Sequence, residues 1–187
     1  MRRRFFVLIA AAFTLAACGL GANARRPADP ELDALFEQLA SAPDDATAAR
    51  VEAEIWQRWS DSGSPTVDIL LERANAAKAA GDPELALRFL DQASELAPDY
   101  AEPWSRRANL AYEAHDYSGA ITAIQETLKR EPRHFGALTG LGIIYEEIGQ
   151  DRPALEAFRA ALAVHPHYEA ARQGVRRLEP RVDGRDA

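Results

Sequence analysis

The sequence predicts an all-α solenoid of antiparallel helix pairs, and two spacings carry that expectation. Pro98, Pro132 and Pro166 lie 34 residues apart, and so do Ala86, Ala120 and Ala154. Segments 67–100, 101–134 and 135–168 therefore align without a gap, and a period of this length marks stacked supersecondary units. Composition agrees with helix. Alanine supplies an unusual share of the 47% hydrophobic residues, and only 15 of 187 residues are aromatic. Alanine loses least side-chain freedom in a helix.

The chain opens with Arg2-Arg3-Arg4 and then the apolar stretch from Phe5 to Ala17. A short positive segment before about 13 apolar residues is the layout of an export signal, so residues 1–24 read as a signal peptide. Leu15-Ala16-Ala17-Cys18 resembles a bacterial lipobox, in which the cysteine is lipidated. Ala22-Asn23-Ala24 fits ordinary cleavage near residue 24. Cys18 is the only cysteine, so it forms no internal disulfide, and lipidation would account for its place. The expectation is a periplasmic protein, either lipid-anchored to the envelope or soluble after cleavage.

Residues 31–60 read as a degenerate helical hairpin. Leu32, Leu35, Phe36 and Leu39 share one helical face; after Pro43, Val51, Ile55 and Trp59 do the same, with Trp56 beside them. Ser62-Gly63-Ser64-Pro65 marks the boundary before the first full repeat.

Within each repeat, small residues stand at the eighth place (Ala74, Ala108, Gly142) and the twentieth (Ala86, Ala120, Ala154). Two helices packed closely need small residues where their backbones approach. Large residues at the fourth place (Leu70, Trp104, Leu138) and the twenty-fourth (Leu90, Ile124, Phe158) fill the space between helices. The turn inside each repeat falls at Gly81-Asp82-Pro83, His115-Asp116-Tyr117 and Gly149-Gln150-Asp151. Glycine there can end one helix with positive φ, and aspartate can cap the next. The prolines near each repeat end stop the second helix. Residues 169–178 read as a capping helix, since a solenoid buries each face only against a neighbour. Residues 179–187, with Pro180 and Gly184, are expected to fray as a flexible tail.

These residues resemble the tetratricopeptide repeat (TPR) pattern. The middle copy matches best, with Ala101-Glu102-Pro103-Trp104, Asp116-Tyr117, Ala120-Ile121 and Glu131-Pro132. Arg107, where leucine is usual, and Thr127, where the other copies have Ala93 and Ala161, depart from it. The resemblance implies a right-handed α-α superhelix and a protein-interaction scaffold.

Catalytic chemistry is hard to find. A formal charge of −7 argues against a nucleic-acid partner. There is no glycine-rich phosphate loop and no nucleophile elbow, so neither an enzyme nor a cofactor is expected. His115, His134, His165 and His167 fall in turns without metal-ligand spacing and are expected to be exposed. Glu146-Glu147 reads as a solvated helix face, and Trp56, Trp59 and Trp104 as packing residues.

By the same resemblance, the first helix of each repeat would line a concave groove for a protein or peptide. The groove-facing residues would be Leu71, Asn75 and Lys78; Ser105, Arg106, Asn109, Tyr112 and Glu113; and Thr139, Ile143 and Glu146. Family members that hold a chaperone's C-terminal carboxylate use a clamp of lysines, asparagines and an arginine. Here Asn75 fits one place, while Leu71, Arg106, Gly136 and Gly140 replace the others, so acidic chaperone tails are not the expected ligand. The expected partner is a protein or peptide bound within the cell envelope. The alternative is a structural, oligomerising docking element that uses the solenoid's ends or convex face.

Overall fold

A computed structural model describes residues 29–184. The expected export signal, the lipobox-like stretch with Cys18 and the last three residues lie outside that range. Nine helices make up the described residues: α1 (Pro30–Ala40), α2 (Asp45–Ser60), α3 (Pro65–Ala79), α4 (Pro83–Leu96), α5 (Glu102–Glu113), α6 (Tyr117–Arg130), α7 (Phe135–Glu147), α8 (Asp151–Val164) and α9 (Glu169–Asp183). The expected all-α solenoid is what the chain forms. α3–α4, α5–α6 and α7–α8 are antiparallel pairs, and each second helix packs on the first helix of the next pair.

Local chemistry sets the helix ends. Asp82 and Asp116 cap α4 and α6, each accepting a backbone N–H three residues on at 2.9 Å. The turns before α4, α6 and α8 need a residue in the left-handed region: Gly81 (φ 76°), His115 (φ 58°) and Gly149 (φ 75°) occupy equivalent places. Glycine adopts that conformation without a Cβ penalty; histidine does not.

Packing follows the small–large pattern. Ala86, Ala93, Ala120, Ala154 and Ala161 are fully buried with Leu90, Ile124 and Phe158. Thr127, the odd residue at its place, is also fully buried, and its hydroxyl donates to the Ala123 carbonyl at 2.9 Å. Arg107 turns outward, pairing with Asp91 and lying 5.6 Å from the Trp104 ring, which Arg130 covers at 4.8 Å.

The structure corrects two expectations about the end of the chain and the turns. The C-terminal helix continues past Leu178 to Asp183, because Leu178 and Val182 are buried in the core with α8. Pro180 sits inside it on the exposed face, so the carbonyl left without its N–H partner, on exposed Arg176, is near water. Three of the four turn histidines are not exposed: His167 is half-buried, and His134 and His165 each retain 1% of their surface. Both are covered by the N-terminal hairpin, whose docking place no local pattern announced.

That hairpin does not stack on α3 as a further repeat. α1 and α2 pack on each other, and neither makes an extended backbone approach to a repeat helix. Instead α2 lies along the edge of the solenoid where successive repeats join. Its C-terminal end meets the first junction, where the Tyr100 hydroxyl donates to the Trp59 carbonyl at 2.7 Å. At the second junction His134 stacks on Trp59, centroids 4.4 Å apart and planes 6° apart. Its N-terminal half meets the third: Glu52 reaches His165 at 3.1 Å, and Asp45 meets His167 and Arg172. Tyr100, His134 and Tyr168 end the three repeats, so this edge carries an aromatic every 34 residues.

Candidate functional site

The first helices of the repeats form a groove, and a cavity of about 340 Å³ lies in it between α5 and α7. Ser105, Ala108, Asn109 and Tyr112 of α5 form one wall. Gly136, Thr139, Gly140 and Ile143 of α7 form another, with Ile124 of α6 in the floor. Trp56, His134 and Tyr168 close the side toward the hairpin. No lining side chain carries a charge, provided His134 is neutral.

Glycines make room for this arrangement. A Cβ on Gly136 would stand 2.9 Å from the Trp56 ring, so only glycine lets the indole enter here. At Gly140 the nearest atom to a Cβ would be Ile124 Cδ1 at 3.7 Å, an ordinary contact; that glycine leaves space in the cavity. Trp56 is steadied from its own helix by Glu52, which accepts its indole N–H at 3.1 Å.

His134 is held neutral by its surroundings. Its Nδ1 accepts the Ala137 N–H at 3.0 Å and so caps α7, which puts the ring proton on Nε2. Nε2 is buried without a partner. Burial lowers its pKa to about 4. The Thr139 hydroxyl is likewise buried and unpartnered.

Next to the cavity, a smaller pocket of about 80 Å³ is lined by Ala74, Asn75, Lys78, Leu90, Arg106, Asn109 and Leu110. Asn109 belongs to both, so the two are continuous. Asn75 and Asn109 are exposed, with amides free to donate and to accept.

The other anticipated groove residues are largely engaged. Lys78 pairs with Glu113 at 2.6 Å across α3 and α5. Arg106 binds Glu102 at 2.9 Å and the Leu71 carbonyl at 3.2 Å. Tyr112 donates to Glu147 across to α7, a hydrogen bond that pushes the phenol pKa up to about 12. Glu146 is no freely solvated carboxylate: Arg177 at 2.9 Å and Arg181 at 2.7 Å of α9 hold it. Ser105, Thr139 and Ile143 line the cavity. Leu71 does not reach the groove; it is 3% exposed, inside the core of the first repeat.

Sequence reasoning missed Trp56, His134 and Tyr168 as cavity walls. The only available signal was the aromatic ending each repeat. Nothing local said that Trp56 would cross to meet His134 and its neighbour Phe135. Among the described residues, no group of three His, Cys, Asp or Glu side chains could hold a metal ion, and no helix is long and apolar enough to cross a membrane.

Residues 77–134 and 137–168 match family models described as tetratricopeptide repeat. A TPR repeat-containing protein of Rhizobium etli is 38% identical over 162 residues, which span 87% of this chain and 79% of that one. Among solved structures, the Arabidopsis OM64 TPR domain is similar at a TM-score of 0.58 and 22% identity, over 62% of this chain and 96% of that chain. The first TPR of Spaghetti (RPAP3), bound to an HSP90 peptide, is similar at a TM-score of 0.59 and 14% identity, over 64% of this chain and 95% of that chain. At these identities the structures speak for the fold alone.

Proposed function

Since the chain belongs to the tetratricopeptide repeat family, we propose that it is a protein-interaction scaffold whose groove holds a peptide segment of a partner by an uncharged anchor side chain. The uncharged cavity of about 340 Å³ carries this reading. It lies within the range of pockets that take small organic groups, and its lining suits a bulky apolar side chain, with exposed Asn75 and Asn109 placed for the partner's backbone. A carboxylate-ended ligand such as the HSP90 peptide of the Spaghetti complex is disfavoured. The clamp positions hold buried Leu71, engaged Arg106, Gly136 and Gly140.

The same proposal places the protein in a bacterial envelope. Support comes from Arg2 to Arg4 ahead of the apolar stretch Phe5 to Ala17, and from Cys18 in a lipobox-like setting. Lipidated Cys18 would tether the scaffold to a membrane, and cleavage near Ala24 would free it into the periplasm. Intact mass of the mature protein separates the two.

Groove binding is tested by filling the cavity. Gly140→Leu would set its Cβ in ordinary contact with Ile124 and improve helix propensity, so the fold should hold. Partners crosslinked to the native chain in envelope fractions should be lost with Gly140→Leu and weakened with Asn75→Ala and Asn109→Ala. An unchanged partner set in folded Gly140→Leu sinks the groove reading.

One observation favours a second reading, an oligomerising element. Ile69 and Leu96 on the α3–α4 pair are 49% and 61% exposed, and the hairpin leaves that end of the solenoid uncovered. Light scattering of the purified chain tests it; a monomer at high concentration removes it.

A further inference from the structure

The hairpin is fastened to the solenoid mostly by side chains, and three histidines line the seam. His134 stacks on Trp59 with Trp56 edge-on at 5.5 Å. His165 touches Glu52, and His167 lies between Asp45 and the Ala42 carbonyl, which it meets at 3.1 Å. His134 and His165 share a particular defect. The nitrogen that a second proton would occupy has nothing to give it to. On His134 that nitrogen is Nδ1, which already accepts the Ala137 N–H and would face another donor. On His165 it is Nδ1 as well, buried without a partner while Nε2 engages Glu52. A buried N–H without an acceptor is costly, and a buried charge more so. Both rings would regain water if the hairpin left.

We propose that the α1–α2 hairpin is an acid-released strap: protonation of His134 and His165 detaches it from the repeat junctions and withdraws Trp56 from the groove wall. The inference rests on the seam and is independent of what the groove binds.

The other ionisable groups at the seam bear on the direction. From α2 come Glu52 and Asp45, and from α1 Asp33, which pairs with Arg133 at 2.8 Å. Arg172 of α9 meets Asp45 at 3.1 Å, while Arg58 stays within the hairpin on Asp29 and Glu31. Tyr100 and Tyr168 supply phenols; burial pushes that of Tyr168 up. Asp45 and Glu52 oppose release while they are ionised, because each faces a histidine. His167 finds acceptors at both ring nitrogens, so it does not drive release.

His134 and His165 do, because burial lowers both. Glu52 offsets this only in part at His165. As pH falls below about 6.5, the detached state takes up a proton at His134 that the docked state refuses until about 4, and burial makes the docked state resist a proton at His165 as well. The ratio of detached to docked strap therefore rises by up to about tenfold per pH unit for each histidine.

Trp56 and Trp59 report the strap directly in a Trp104→Phe chain. Their emission should change with a midpoint between pH 6.5 and 4, while far-UV circular dichroism loses no more than the hairpin's helices. His134→Phe keeps an aromatic on Trp59 and cannot take a proton, so its midpoint should move to lower pH. Loss of emission and of total helicity at one common pH overturns the proposal. So does an unshifted midpoint in folded His134→Phe. If that variant fails to fold, hydrogen exchange of the unmodified chain decides. Protection of residues 30–60 must fall between pH 7 and 5 while that of 67–178 persists, after correction for intrinsic rates; a parallel fall, or none, refutes the strap.

Discussion

Gly142 and Phe158 are fitted to each other: a Cβ on Gly142 would stand 2.8 Å from the Phe158 ring. They occupy the eighth and twenty-fourth places of the third repeat, where the first two carry Ala74 with Leu90 and Ala108 with Ile124. The larger residue on one helix is matched by loss of a methyl on the other. Gly142→Ala should destabilise by about 1–3 kcal/mol through overpacking. Adding Phe158→Leu, which restores the pair used in the first repeat, should recover part of that loss. Urea unfolding of the two single variants and the double variant measures the coupling; strict additivity would contradict the fit.

His115 holds the left-handed conformation that Gly81 and Gly149 hold at the matching places. Its side chain lies in an exposed turn, 3.3 Å from the Tyr117 hydroxyl. His115→Gly should relieve the backbone strain and raise stability by about 0.5–1 kcal/mol, less than the full αL cost because glycine also loosens the unfolded chain. Thermal melts would read this as a higher midpoint. A lower one would mean that the contact with Tyr117 outweighs the strain.

Glu146 ties the capping helix α9 to the last repeat. The hydrogen bond from Arg177, reinforced by Arg181, holds its carboxyl below the usual carboxylate range. A folded-state value below the unfolded one near 4.5 contributes stability that is complete above that pH. That contribution is lost as pH falls through the lower, folded value. Glu146→Gln should therefore cost about 1 kcal/mol at neutral pH, with the gap closing toward pH 3. A gap that stays constant with pH would show that the ion pairs contribute nothing.

The Tyr100 hydroxyl reaches the Trp59 carbonyl across 41 residues of chain, and the bond is buried. Tyr100→Phe should destabilise by about 1 kcal/mol, since the carbonyl loses its donor without access to water. Its effect should be larger on hydrogen exchange in α2 than in α7 or α8. Equal loosening throughout would place the bond's role outside the strap.

Much of the fold was legible because its signals are local. The 34-residue spacing of Pro98, Pro132 and Pro166 and the aspartates opening α4 and α6 each act within a turn or a helix pair. Neighbouring repeats repeat the same contacts, so one register describes them all. The candidate site was legible only where it reused that register: Asn109, Tyr112 and Ile143 stand where the resemblance to the repeat family puts groove-facing residues, and they line the cavity. Leu71 shows the limit of that resemblance, since the position it assigns to the groove is buried in the first repeat's core. Past Leu178, the buried side chain of Val182 outweighed the break that Pro180 suggested.

By itself, the sequence determined the repeat unit and its small–large packing code, because those depend on residues within one period of each other. The tertiary structure alone decided where the hairpin goes and what it does to the groove. Glu52 and His165 are 113 residues apart, and Asp45 and His167 are 122 apart. No periodicity connects such pairs. Only the closed chain brings Trp56 to the cavity, removes water from His134 and His165, and turns two apparently exposed turn residues into the buried fastening of a strap.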